Sequence, residues 1–190
     1  MASNGDTATF VAVGDIGPLR DDAEVLFEPT RDFVRAADVS FGQLEKCLST
    51  RGTQQLYLNK SLGRTDPRVA GVIADAGFNV LSFASNHTMA FSGEGLADTV
   101  DHLNASGVTV IGAGSDIAAA RRPAVLEVNG VRIGILAYCS VVPRGFEASN
   151  SPIGMAMAEA MRMELSTSTK CSPRSCRPSS WTKRLNSPVT

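Results

Sequence analysis

Four side chains in the first half of the sequence carry the chemistry of a metal-assisted hydrolytic site: Asp15, Glu45, Asn86 and His87. Carboxylate and amide oxygens and an imidazole nitrogen suit hard or borderline divalent ions such as Mn, Mg, Zn or Fe. Such ions clamp a phosphate ester and acidify a water that then attacks phosphorus. The amide of Asn86 can bind an ion through its carbonyl oxygen, and His87 beside it can contact the phosphate or protonate the leaving oxygen. Each residue also has a plainer reading. An Asp after a strand is often a turn former or a helix cap, and Glu45 alone is no more than a solvated loop carboxylate. The chain's other histidine, His102, falls mid-helix on a solvent face and reads as structural or neutral.

These residues matter together only if the chain brings them to one place, and the pattern around them does so. Ala8 to Val13 is apolar and β-branched and stops at Gly14-Asp15-Ile16-Gly17, as a buried strand entering a tight loop would. A helix beginning near Pro29-Thr30 feeds the short strand Val39-Ser40-Phe41, and Glu45 follows that strand. Residues 46–65 form a long excursion of the kind that can cover a site. Asp66-Pro67 opens a helix to about Ala76, Gly77 ends it, and the strand Asn79 to Phe83 runs into Ala84-Ser85-Asn86-His87. Gly93 to about Ser106 reads as an amphipathic helix closed by Gly107, followed by the strand Val108 to Ile111. A short helix from Ser115-Asp116 to Arg121 precedes the strongest hairpin signal, Ala124–Val128 and Val131–Ala137 joined by Asn129-Gly130.

Four alternations of strand and helix predict an α/β fold, a layered, mostly parallel sheet with helices on both faces. Ligands then collect beyond the strands' carboxyl ends, where the four candidates fall.

Composition bounds the rest. At 190 residues and 43 % hydrophobic, the chain can bury one mid-sized core. A net charge of −1 gives no footing for nucleic acid. No charged start followed by an apolar run is visible, nor any apolar stretch long enough to span a bilayer, so a cytoplasmic protein without a membrane segment is expected. Cysteines 47, 139, 171 and 176 show no framework spacing and point to a reduced setting. Residues 1–150 carry 12 basic and 17 acidic side chains, whereas residues 151–190 carry 6 and 2. A Met- and Ala-rich helix is expected over 154–165, and disorder over 166–190, which hold seven Ser, three Pro, five basic residues and no acid. The domain is therefore read as 8–150 with a low-order basic tail over 151–190. A truncated or frame-shifted coding sequence and a natural basic tail both account for the break.

In order and separation, Gly14-Asp15-Ile16, Gln43-Leu44-Glu45, Ser85-Asn86-His87 and Gly112-Ala113-Gly114 resemble the CapA family of capsule-synthesis proteins, over about residues 8–150. That resemblance implies the calcineurin-like metallophosphoesterase fold, with Asp15, Glu45 and Asn86 as metal ligands and His87 as the catalytic or phosphate-contacting residue. It also implies a role in poly-γ-glutamate capsule production and a phosphate-ester or capsule-polymer substrate. Gln43, Ser85 and Ala90 depart from the family pattern, and Gly17 stands where the related phosphoesterases carry a histidine. A Gly-His-x-His segment of the family's second half is missing, so the site is expected to be incomplete in this chain.

Two other readings stand beside this one. Gly112-Ala113-Gly114 follows a strand and precedes a helix as a dinucleotide fingerprint would, but Ile117 stands at the third glycine and the helix is too short. A non-catalytic binding or scaffold subunit, or an inactive fragment, would explain the absent ligands. A fragment would also leave a sheet edge uncovered after Val131–Ala137, with self-association as the consequence.

Overall fold

The computed structural model describes residues 7–55, 63–143, 145–148 and 153–156. β1 (Phe10–Ile16) leads through two short helices, α1 (Ala23–Phe27) and α2 (Arg31–Arg35), to β2 (Val39–Leu44). Then come α3 (Val69–Asp75), β3 (Val80–Ser82), α4 (Ser92–Ala105) and β4 (Thr109–Ile111). These strands form one parallel sheet in the order β1-β2-β3-β4, so each pairs with the strand before it in the chain. The layered, mostly parallel α/β expectation holds.

Both long crossovers end with the same device. Gly77 and Gly107 adopt the left-handed region, with φ of +104° and +85°. Behind them, the N–H of Phe78 donates to Ile73 O and that of Val108 to Leu103 O. This is the six-to-one closure of a Schellman motif, and it turns each helix directly into the next strand.

The first face of the sheet takes the helices. Leu44, Leu81 and Phe83 pack there with Ile73 of α3 and with Leu96 and Leu103 of α4, all essentially buried. On α4 the buried residues 96, 99 and 103 recur at helical spacing, which is why that helix lies flat on the sheet. The second face takes a separate antiparallel hairpin, β6 (Ala124–Val128) and β7 (Val131–Ile135). Its inward residues Ala124, Leu126 and Ile135 pack on Phe41, Val80 and Ile111. Asn129 and Gly130 both have positive φ, 48° and 78°, as a two-residue type I′ turn requires. At that tip the Asn129 amide donates to Thr7 O and to Asp38 Oδ1, tying the hairpin to the entry of the sheet.

Two expectations change here. Because β6 and β7 form their own ladder, β7 is not an edge of the main sheet. The outer strands of that sheet are β1 and β4, and β1 leaves Phe10 and Val13 exposed. The helix expected from residue 154 does not begin there, since Gly154–Met155 form β8, paired antiparallel with β5 (Ala113–Gly114), between which α5 (Ile117–Ala120) is placed in the chain. The remainder of that helix, and the tail over 166–190, lie outside the described residues.

Candidate functional site

At the carboxyl edge of the sheet, successive strands end side by side. Asp15 is one residue from the end of β1 and opposite Gln43 of β2, and Ile16 O accepts the backbone N–H of Glu45 at 2.9 Å. Glu45 therefore leaves β2 level with the end of β1. Asn86 and His87 stand in the turn that follows β3.

That turn is held firmly. The Ser85 N–H donates to Thr88 Oγ1 (3.0 Å), the Thr88 hydroxyl donates to Phe83 O, and the His87 N–H donates to Ser85 Oγ (3.1 Å). Thr88 is completely buried, so its hydroxyl cannot exchange these partners for water. Cys47, two residues beyond Glu45, reaches under the same turn and donates through Sγ to Thr88 O (3.4 Å) and more weakly to His87 O (3.9 Å). Burial pushes the Cys47 thiol up to about 11, so it remains a neutral donor at ordinary pH. The end of β2 and the turn after β3 are thus stitched together from beneath.

The consequence is a direct meeting of two predicted residues. His87 Nε2 lies 3.7 Å from Glu45 Oε1, a charge contact rather than a hydrogen bond. On the other side Lys46 Nζ lies 3.2 Å from Glu45 Oε2. All three side chains are about one-fifth exposed, so the row Lys46, Glu45, His87 is half sheltered and still open to a ligand. His87 Nδ1 is enclosed and has no hydrogen-bond partner among the described residues, which leaves Nε2 as the nitrogen able to pass a proton. Asn86, half-buried, receives the Ser85 hydroxyl on Oδ1 at 3.5 Å. Asp15 is exposed on the β1 side and does not join Glu45 and His87 in a three-residue cluster.

Whether these residues fit a divalent ion can be judged from their chemistry and placement. Oxygen donors from three strand ends and an orphaned, enclosed imidazole nitrogen are the right types for one hard or borderline ion. A preformed cage is a different matter. Among the described residues, no group of three or more His, Cys, Asp and Glu is close enough to hold an ion, and both oxygens of Glu45 already face nitrogen. The set fits a single ion after a small rearrangement, not a closed two-ion centre.

Sequence reasoning overlooked two participants. Lys46 carried a visible signal, a basic residue directly after a candidate acid at a strand end. Cys47 carried none, because its role depends on depth. His102, read as structural, lies 3.6 Å from Asp98 on the same helix face. Asp98 also accepts the Ser49 hydroxyl at 2.6 Å, and Leu48 N–H donates to Thr99 Oγ1. The excursion after Glu45 is therefore tied down on α4, with its base closed by the Leu48 and Thr65 bridge. Its middle, residues 56–62, lies outside the described residues.

A parallel sheet whose consecutive strand ends gather carboxylate, amide, imidazole and ammonium groups defines the class, a layered α/β protein with a polar site at the carboxyl edge. Comparison with known proteins supplies the family. The model of the bacterial capsule synthesis protein PGA_cap matches residues 1–175, and the chain belongs to that family. Protein y4sH of Sinorhizobium fredii is 30 % identical over 172 residues, which cover 85 % of this chain and 37 % of that protein. The PGA biosynthesis protein CapA of Bacillus subtilis is 26 % identical over 138 residues, 72 % of this chain and 36 % of its own. The capsule biosynthesis protein CapA of Bacillus anthracis is 25 % identical over 157 residues, 77 % and 38 % respectively. The chain spans little more than a third of the length of these relatives. Among the described residues, no helix is long and apolar enough to cross a membrane.

Proposed function

We propose that this chain serves capsule biosynthesis of the poly-γ-glutamate type through a calcineurin-like, phosphoesterase-type site at the carboxyl edge of its sheet, built for a phosphate ester or a capsule-polymer-related substrate. The observation that carries this proposal is the meeting of Glu45 and His87 from two separate strand ends. The names of relatives, a PGA biosynthesis protein and a capsule biosynthesis protein, support the biological setting.

In this assignment Glu45, Asp15 and Asn86 supply oxygen donors for one divalent ion, Mn, Mg, Zn or Fe. Such an ion, when bound, would neutralise phosphate oxygens and acidify a water. His87 presents Nε2 to the leaving oxygen, and Glu45 holds that ring in place and favours the protonated form that a general acid needs. Its turn, fixed by Thr88 and Cys47, keeps the ring from drifting. The free thiols of Cys47 and Cys139 fit a reducing, cytoplasmic location. Association of copies through the exposed β1 edge belongs to the same proposal.

The test is a Mn titration of the purified chain by calorimetry, with hydrolysis of an aryl phosphate measured in parallel. Saturable binding that weakens at least about tenfold in Glu45→Gln, with turnover lost in His87→Ala, is expected. A folded chain that takes up no ion and turns over no ester would instead establish a non-catalytic binding or scaffold subunit. One observation favours that second possibility, the engagement of both Glu45 oxygens by neighbouring nitrogens.

A further inference from the structure

Lys46 lies within the site and the mechanism above leaves it idle. Its ammonium is 3.2 Å from Glu45 Oε2, with the side chain only 17 % exposed. Its stem runs along the floor left by Gly17, where even a Cβ would stand 4.0 Å from Lys46 Cγ and Cε. A glycine there leaves the stem free to move, since no side chain at position 17 walls it in. Glu45 is consequently compensated on one oxygen by a permanent charge before any ion arrives.

We propose that Lys46 is a resident cation that competes with a divalent ion for Glu45. It holds Glu45 and His87 together in the ion-free chain and must leave Oε2 when an ion binds. This rests on the assignment of Glu45 as an ion ligand. Physically, a carboxylate half sheltered from solvent needs a counter-charge, and a tethered ammonium supplies it without the cost of dehydrating a divalent ion. Ion affinity is then a difference between two pairings of the same carboxylate, and Lys46 sets the reference state.

The decisive comparison is Mn binding by the wild-type chain, Lys46→Met and Lys46→Arg, followed by calorimetry and by the paramagnetic signal of free Mn. Lys46→Met keeps the stem and removes the charge, so it should bind Mn on the order of five- to tenfold more tightly than wild type, while Lys46→Arg should not. Equal or weaker binding by Lys46→Met, with wild-type binding intact, overturns the competition and leaves the ion site standing. No binding by any of the three chains overturns the ion site and the competition with it. A measurement on the wild-type chain covers the case of a misfolded variant. The chain has four lysines, so a lysine-labelled sample gives few ε-methylene signals. Addition of Mg should shift the Lys46 signal, and a Lys46 signal unmoved at saturating Mg would refute the displacement.

Discussion

Cys47 offers the sharpest quantitative test of how the site is held. Its thiol is essentially buried under the His87 turn, and loss of hydration raises it from an ordinary value of 9.0 to about 11, against a smaller opposing pull from nearby donors and cations. A thiol raised in the folded state keeps its proton longer than the same thiol in the unfolded chain. The stability it contributes is therefore full below pH 9 and lost as pH rises from 9 to about 11. A gap of that size corresponds to about 2.7 kcal/mol. The perturbation is Cys47→Ala, and the assay is urea unfolding of both chains at neutral pH, near pH 9 and near pH 11. Lysines, tyrosines and the other cysteines titrate alike in the two chains and cancel in the difference. Wild type should begin ahead, because the variant loses packing and the S–H bond to Thr88 O, and should lose about 2 to 3 kcal/mol of that lead across the window. Two unfolding free energies that fall in parallel with pH would refute the burial account. So would rapid reaction of Cys47 in the folded chain with a thiol reagent at pH 8.

Two further outcomes follow from the geometry. Gly52 has φ +79°, and a Cβ there would stand 1.9 Å from Phe91 O, so Gly52→Ala should cost roughly 2 to 4 kcal/mol and detach the loop after Glu45 from α4; a melting temperature within a degree of wild type would contradict this. Asp38 accepts from the Thr9 N–H and hydroxyl, both at 2.7 Å, and from Asn129, and the Thr9 hydrogen bonds hold its carboxyl below the usual range. That stability is present above the ordinary carboxylate value and lost as pH falls through the depressed one. Asp38→Asn should therefore melt earlier than wild type at pH 7, with the difference closing as pH drops below about 3.

Much of the architecture could be read from local pattern because local pattern causes it. The glycines that end α3 and α4, the Asn129-Gly130 turn and the Asp116 cap, which accepts the Ala119 N–H at 2.8 Å, act over three to six residues and leave their mark there. Asn86 and His87 stood out because an apolar strand runs straight into them. What stayed hidden depends on distance in the chain. β8 is two residues long and exists because Gly154 lies against Gly114, at positions where a Cβ on either would strike backbone within 2.7 Å. No composition rule announces such a contact. The short α1 lacks the length for periodicity to show. The pairing of Lys46 with Glu45, and the reach of Cys47 beneath the His87 turn, depend on rotamer and depth rather than on spacing. Asp15 shows the converse, since placement at a strand end brought it to the right edge without bringing its carboxylate into the cluster.

The order β1-β2-β3-β4 bears on how the molecule is made. Every strand of the main sheet pairs with a predecessor already synthesised, so a nascent chain can add strands in turn as it leaves the ribosome, with no vacant slot awaiting a later one. Residues 15, 45, 86 and 87 belong to the first three additions. The site can thus assemble vectorially, and β6 and β7 arrive afterwards to close the face beneath it.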